Sequence, residues 1–353
     1  MDYHKELEKL VEIVSSENAS DLHLAEGRNP IIRVGSFLVP LLKRTALTRE
    51  DMEGYLGVLL SQESRARFLE TREIDFSFGL REAVRFRGNG YVQRGLFTLA
   101  LRVIPREIHT LSELGLPQIL ETFTSRRQGF FLVVGPVGQG KSTTLASMVE
   151  IINRTRAEHI ITIEDPIEYI YEPKKAIIDQ REVRIDTGDF KTALQSTFRQ
   201  DVNVILVGEM RDLETMATAV TAAETGHLVF STLHTNNASQ TVDRIIDSFP
   251  PTQQDQIRIQ LAGSLLGIFS QRLLPRLSGG LVPAYELLVN TPATANLIRE
   301  GRTHELPSVL ETGSEHGMVA LNRSLAELVG AGEISVEDAY THSYNPQALE
   351  KML

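Results

Sequence analysis

Phe130-Phe131-Leu132-Val133-Val134-Gly135-Pro136-Val137-Gly138-Gln139-Gly140-Lys141-Ser142-Thr143 sets an unbroken apolar run against a glycine-rich loop that ends in Lys-Ser. A short run of aromatic and β-branched residues reads as a strand buried on both faces, and the residues after Lys141 read as helix. Between them lies a full G-x-x-x-x-G-K-S pattern in the strand–loop–helix setting that gives it meaning. Its glycines let backbone N–H groups converge on phosphate oxygens, and the helix start adds roughly half a positive charge there. Lys141 is placed to reach the β and γ phosphates and the Ser142 hydroxyl to bind magnesium. Gly135, Pro136, Val137, Gly138, Gln139, Gly140 and Thr143 complete the phosphate cradle.

Outward from this loop the pattern continues as apolar stretches at 159–163, 204–207 and 227–231, each followed by a longer helical stretch. Strands alternating with helices predict a parallel sheet covered by helices. After Pro251 the chain reads as mostly helical. Towards the N-terminus the character is different. Leu7, Leu10, Val11 and Val14 fall at helical spacing; 31–34 reads as a strand with Gly35-Ser36 as a turn, and a second helix spans 49–70. Ile74, Phe76 and Phe78 alternate, as do Phe97, Leu99, Leu101 and Val103, with Gly88-Asn89-Gly90 read as the turn between short strands. The expectation is therefore α/β: a small α+β domain over 1–105, a linker over 106–117, and a P-loop domain over 118–353 with a helical C-terminal part.

Composition narrows the chemistry. The 353 residues carry a formal charge of −10, aromatic residues make up 6%, and tryptophan is absent, a poor endowment for wrapping or stacking nucleic acid. Basic pairs such as Arg126-Arg127 and Lys174-Lys175 do not extend into a patch. No nucleic-acid partner is expected. Cysteine is also absent, which excludes disulfides and thiolate metal centres. The first ten residues alternate charges with leucines and no long apolar run follows, so a cytoplasmic location is expected.

A phosphate cradle needs carboxylates from neighbouring strand ends. Two candidates qualify: Glu164 and Asp165 in Ile163-Glu164-Asp165-Pro166, and Glu209 in Val207-Gly208-Glu209, where Gly208 replaces the aspartate usual in such a strand. The residues alone leave open which glutamate orients the attacking water. His227 and His234 flank the strand in Gly226-His227-Leu228-Val229-Phe230-Ser231-Thr232-Leu233-His234; either they are structural, or they sense the γ-phosphate or bond a catalytic carboxylate. Phosphoryl transfer also calls for a cation on the developing charge, for which Arg85, Arg87 and Arg102 in the first domain are the candidates.

Four ordered motifs make a family resemblance visible. Residues 163–169 resemble an aspartate box, 207–215 a Walker B region and 226–236 a histidine box; with Ala19-Ser20-Asp21-Leu22-His23-Leu24 and the phosphate loop, they resemble the PilT family of motors that retract type IV pili. The resemblance implies a PAS-like first domain, a RecA-like second domain, ATP and Mg2+ as cofactors, and a homo-hexamer on the inner-membrane pilus platform, possibly with a paralogous pilus ATPase. It also implies Glu164 as general base, Glu209 and Ser142 as magnesium residues, and His227 and His234 as the histidine-box pair. The short, cysteine-free chain resembles the retraction subfamily more than assembly relatives with zinc modules. Ala293-Thr294-Ala295-Asn296-Leu297-Ile298-Arg299-Glu300 resembles that subfamily's AIRNLIRE motif, departing at Thr294 and Ala295. Packing of this helix is expected through Ala293 and Leu297. Alternatives are an accessory ATPase of the same machine and a nucleotide-gated binding module with little turnover.

Overall fold

The computed structural model describes residues 1–35, 37–80, 84–104 and 107–353. The chain forms two compact units, residues 1–107 with 168–170, and residues 108–167 with 171–353.

The first unit contains helices α1 (Tyr3–Ser16), α2 (Arg49–Leu59) and α3 (Gln62–Thr71), and strands β1 (Asp21–Ala25), β2 (Ile31–Val34), β3 (Phe37–Pro40), β4 (Glu73–Leu80), β5 (Val84–Gln93) and β6 (Leu96–Ile104). The strands form an antiparallel sheet in the order β3-β2-β1-β6-β5-β4. Leu7, Leu10, Val11 and Val14 of α1 are buried as their spacing predicts, and they share a core with Leu22, Leu24, Met52, Phe68 and Leu99. Each such leucine contributes about 1.5–3 kcal/mol when fully buried.

Two local expectations change in this unit. The helix read over 49–70 is two helices, because Leu60 is extended and the Ser61 side chain caps α3 by accepting from the Ser64 amide. Gly88-Asn89-Gly90 is not a turn but the middle of β5, paired with Phe76, Asp75 and Ile74 of β4. The pattern misled because Gly88 makes room for a ring: a Cβ there would lie 2.3 Å from Cζ of Phe76. Ser36 and Pro105, read as part of a turn and as the domain end, lie outside the described residues.

In the second unit the sheet runs through β7 (Gly129–Val134), β8 (His159–Glu164), β9 (Ile177–Glu182), β10 (Val204–Val207), β11 (Leu228–Leu233), β12 (Leu265–Pro275) and β13 (Leu281–Val289). Its order is β13-β12-β7-β11-β10-β8-β9, parallel except for the edge strand β13. Helices α4 (Leu120–Thr124), α5 (Lys141–Thr155), α6 (Phe190–Thr197), α7 (Leu213–Glu224), α8 (Ala238–Asp247) and α9 (Pro251–Ser264) connect or cover these strands. Then follow α10 (Pro292–Arg299), α11 (Leu306–Thr312), α12 (Leu321–Gly330), α13 (Val336–His342) and α14 (Pro346–Glu350). Every residue of β7, β10 and β11 is buried, as expected of parallel strands covered on both faces.

The region after Pro251 is less helical than its sequence suggests, since β12 and β13 form a hairpin that extends the sheet beside β7. Burial on both faces removed the alternation that marks a strand, and the remaining signal was the turn residue pair Gly279-Gly280. The segment read as linker carries buried Leu111 and Leu116 and belongs to the second unit from Ile108 onward. In α10 the buried positions are Thr294 and Ile298, one residue on from those expected, with Thr294 Oγ1 donating to the Val289 carbonyl at 3.3 Å.

Gly88→Ala should lower stability by about 1–3 kcal/mol through overpacking against Phe76. Gly79→Ala, on β4 with nothing within 4 Å of the new Cβ, should change it far less. Paired thermal melts of the two variants provide the comparison.

Candidate active site

Four parallel strands, β7, β11, β10 and β8, lie side by side and bring their C-terminal ends to one edge. The glycine-rich loop leaves β7 there and enters α5. Its last glycine, Gly140, caps the helix at φ +77° and offers no side-chain oxygen to the first-turn amides. Helices α6, α7 and α8 are closed differently, by the side chains of Asp189, Asp212 and Asn237. The start of α5 is thus left for an external anion, where the helix dipole also favours one. Ser142 and Thr143 stand in that first turn.

Sequence reading missed what supports this loop. Strand β12 runs beside it: a Cβ at Gly135 would lie 2.5 Å from the Gln271 carbonyl oxygen, and one at Gly140 2.9 Å from Gln271 Nε2. Gln271 Oε1 accepts from Thr144 Oγ1 at 2.6 Å, and Gln139 Oε1 accepts from the Leu273 amide at 2.6 Å. The phosphate loop is therefore held from the side by side-chain amides as well as shaped by its glycines. On that side a cavity of about 240 Å³ opens, lined by Leu114, Leu116, Gly140, Thr144, Leu273 and Pro283 among others.

Lys141 is buried, and its Nζ donates to the carbonyl oxygens of Gly135 and Pro136, both at 2.8 Å. It also faces His234 Nδ1 at 3.4 Å. An ammonium can only donate, so Nδ1 accepts, and Nε2 carries the proton that points to Glu209 Oε2 at 3.3 Å. Glu209 also forms an ion pair with the Arg211 guanidinium. The result is a continuous polar line from the phosphate loop through His234 to a half-enclosed carboxylate. Among the described residues no cluster of three or more His, Cys, Asp or Glu could hold a metal ion. Magnesium keeps several waters and needs only one or two carboxylates with substrate phosphates; the Glu209 carboxylate and the Ser142 hydroxyl are of the oxygen type that would hold it.

Glu164 ends β8, one strand beyond β10, with its carboxylate accepting from Thr162 Oγ1 at 2.6 Å. Gly208 stands against it: a Cβ there would lie 3.3 Å from Glu164 Cα and from the Ile163 carbonyl oxygen. An aspartate at that position would crowd the strand end that presents Glu164. His227 is not brought to this edge. It precedes β11 at the opposite end, where its ring faces Phe198 edge-on and Nδ1 approaches the Ala222 carbonyl. A six-residue strand spans about 20 Å, which separates His227 from the phosphate loop.

The candidate arginines belong to the first unit. Arg87 and Arg102 pair across β5 and β6, and Arg102 Nε donates to Asp21 Oδ1 at 2.8 Å. Burial works to raise the Asp21 carboxyl, but hydrogen bonds from Ser20 and Arg102 hold it below the ordinary aspartate range. Asp21 and His23 alternate with the core residues Leu22 and Leu24, which explains the composition of the motif at 19–24.

A family model described as "Type II/IV secretion system protein" matches residues 3–284. The chain belongs to this family. It is 42% identical over 342 residues to the type IV pilus retraction ATPase PilT of Pseudomonas aeruginosa, covering 97% of this chain and 99% of that protein. To the type IV pilus ATPase PilU of the same organism it is 40% identical, covering 99% and 91%. Among solved structures, the pilus retraction motor PilT with bound ADP matches with a TM-score of 0.92 at 46% identity, covering 97% of this chain and 98% of that one. The family resemblance read from the motifs thus extends over nearly the whole chain, and the α/β architecture agrees with it.

Behind the loop, Glu286 of β13 is buried; desolvation raises its carboxyl to about 7, against opposing effects of the Ala238 amide and Arg272. A raised acid binds its proton more firmly when folded, so its stabilisation is full below about pH 4.5 and is lost as pH rises through about 7. Relative to Glu286→Gln, the wild type should lose on the order of 3 kcal/mol between about pH 4.5 and pH 8, read by urea unfolding at each pH.

Proposed function

We propose that this chain is an ATPase motor that powers type IV pilus retraction, working as a homo-hexamer at the cytoplasmic face of the inner membrane. The observation that carries the reading is the uncapped start of α5, linked through Lys141 and His234 to Glu209, in a chain related to retraction ATPases along nearly its whole length. No helix among the described residues is long and apolar enough to cross a membrane; in this reading attachment is through a platform protein.

In this reading the first-turn amides of α5 and the Lys141 ammonium hold the phosphates of ATP, and Lys141 exchanges its loop carbonyls for phosphate oxygens. The apolar cavity beside Gly140 and Thr144 receives the base, which Leu273 and Pro283 cover. Bound magnesium supplies charge neutralisation on the phosphates. Glu164, held by Thr162, orients and deprotonates the attacking water. His234 keeps Glu209 aligned and registers whether Lys141 faces the loop or the γ-phosphate. Arg85, Arg87 and Arg102 are the arginines proposed to stabilise the developing charge. In this reading the first unit is PAS-like and the second is a RecA-like motor domain.

A second reading, an accessory ATPase of the same machine, draws on the 40% identity to PilU and on Thr294, which is satisfied inside its own unit by Val289. Thr294→Ile with Ala295→Arg should leave retraction unchanged if the departures are neutral, as tethered-bead retraction in a complemented deletion strain would read.

Steady-state ATPase activity of wild type beside Glu164→Gln tests the main proposal, with particle mass followed by light scattering. Activity in a six-subunit particle should fall about 10²- to 10⁴-fold in the variant while ATP still binds. A monomer with negligible turnover in both proteins would replace the motor by a nucleotide-gated module.

A further inference from the structure

The loop that carries His234 is fastened from a part of the chain that none of the motifs includes. Its next residues are held one by one: Thr235 Oγ1 pairs with Thr241 Oγ1 at 2.6 Å, Asn237 caps α8, and the Ala238 amide donates to Glu286 Oε1 at 2.8 Å. The Asn236 carbonyl is the most heavily used point. It accepts from Ser270 Oγ at 2.7 Å, from Arg272 Nη2 at 2.9 Å and from the Tyr344 hydroxyl. Arg272 Nη2 donates in turn to the Tyr344 hydroxyl at 2.6 Å and to Asn236 Oδ1 at 3.2 Å, while Nη1 donates to the Gln271 carbonyl at 2.9 Å.

This geometry has an electrostatic side. Arg272 is buried, yet each of the acceptors just named is neutral, and its guanidinium lies against the loop where a Cβ on Gly135 would meet Nη1 at 3.2 Å. Beyond the nearby Glu286 carboxyl, whose charge Arg272 favours, the cation depends on neutral oxygens, and a buried cation so held is costly unless those oxygens are fixed in place. Tyr344 is one of the groups that fix it. The residue is 48% exposed, and its hydroxyl makes the hydrogen bonds that tie it to the site. Tyr344 lies between α13 and α14, whose Ala339 and Leu349 share a small core with Leu321 and Leu325 of α12 and Leu274, Val282 and Ala284 of the hairpin.

We propose that Tyr344 is a positioning residue for hydrolysis: with Arg272 it clamps the Asn236 carbonyl, and so sets the orientation of His234 between Lys141 and Glu209. The carboxy-terminal helices are thereby coupled to the phosphate site through one hydroxyl, and movement of those helices by a neighbour in the assembly alters turnover without touching the nucleotide. This rests on the ATPase reading above.

The test is a double-mutant cycle of Tyr344→Phe and His234→Ala in the full chain, followed by steady-state and single-turnover ATP hydrolysis with thermal melts of each variant. Tyr344→Phe should lower kcat by about 2- to 10-fold, the effect of one lost hydrogen bond, with KM for ATP nearly unchanged and no large shift in Tm. In the His234→Ala background the same substitution should have almost no effect, because its route to the site is gone. An equal loss in both backgrounds, a loss that appears only in KM, or unaltered kcat in Tyr344→Phe would each overturn the proposal. Absence of turnover in the wild type would instead remove the ATPase reading, which keeps the two failures apart.

Discussion

The start of α5 is the constraint on which the rest of the second unit depends. A helix whose first-turn amides are left without a side-chain cap carries exposed donors and the positive end of a dipole. The other helices that follow strands at this edge are closed by Asp189, Asp212 and Asn237, so Gly140 leaves α5, alone of these four, open to an anion. The buried strand β7 holds the loop's entry, α5 holds its exit, and β12 holds its flank through Gln271 and Leu273. Fixing the donors before the ligand arrives is what preorganises the site, since no backbone reorganisation is left to oppose binding.

Around that centre the charges are arranged in sequence along the sheet edge. Lys141 faces His234, His234 bridges to Glu209, and Glu164 stands one strand farther on with its own hydroxyl donor. Behind the loop, Arg272 is near enough to the buried Glu286 to favour its charged form, and both reach the segment that follows His234. The carboxylate is poised near neutrality and the guanidinium is held by neutral oxygens, so this layer is sensitive to small changes in geometry. It connects the phosphate loop to the hairpin and to the last helices in a way that a list of sequence motifs does not contain.

Legibility in the sequence followed physical range. The phosphate loop was readable because its chemistry is local: glycines, a lysine and a hydroxyl at fixed spacing after an apolar strand. The amphipathic face of α1 was readable for the same reason, as were the buried parallel strands β7, β10 and β11. Glu164, Glu209 and His234 were found as strand-end residues, and their meeting at one edge follows from parallel pairing in register. His227 belonged to the same pattern but sits at the other end of its strand, because a motif that spans a strand places its two ends about 20 Å apart.

The sequence by itself determined the phosphate-binding chemistry, the division into two differently patterned parts and the family. Only the tertiary structure decided that Gly88 is a packing contact and not a turn, that β12 and β13 extend the sheet, and that Gln271, Arg272 and Tyr344 reach the site. Gln271 lies 127 positions from Thr144, Tyr344 108 from Asn236 and Arg272 36 from Asn236. Their roles depend on which strand lies beside β7, and that choice is made by burial of both faces of the sheet, a property of the assembled core that no local periodicity records.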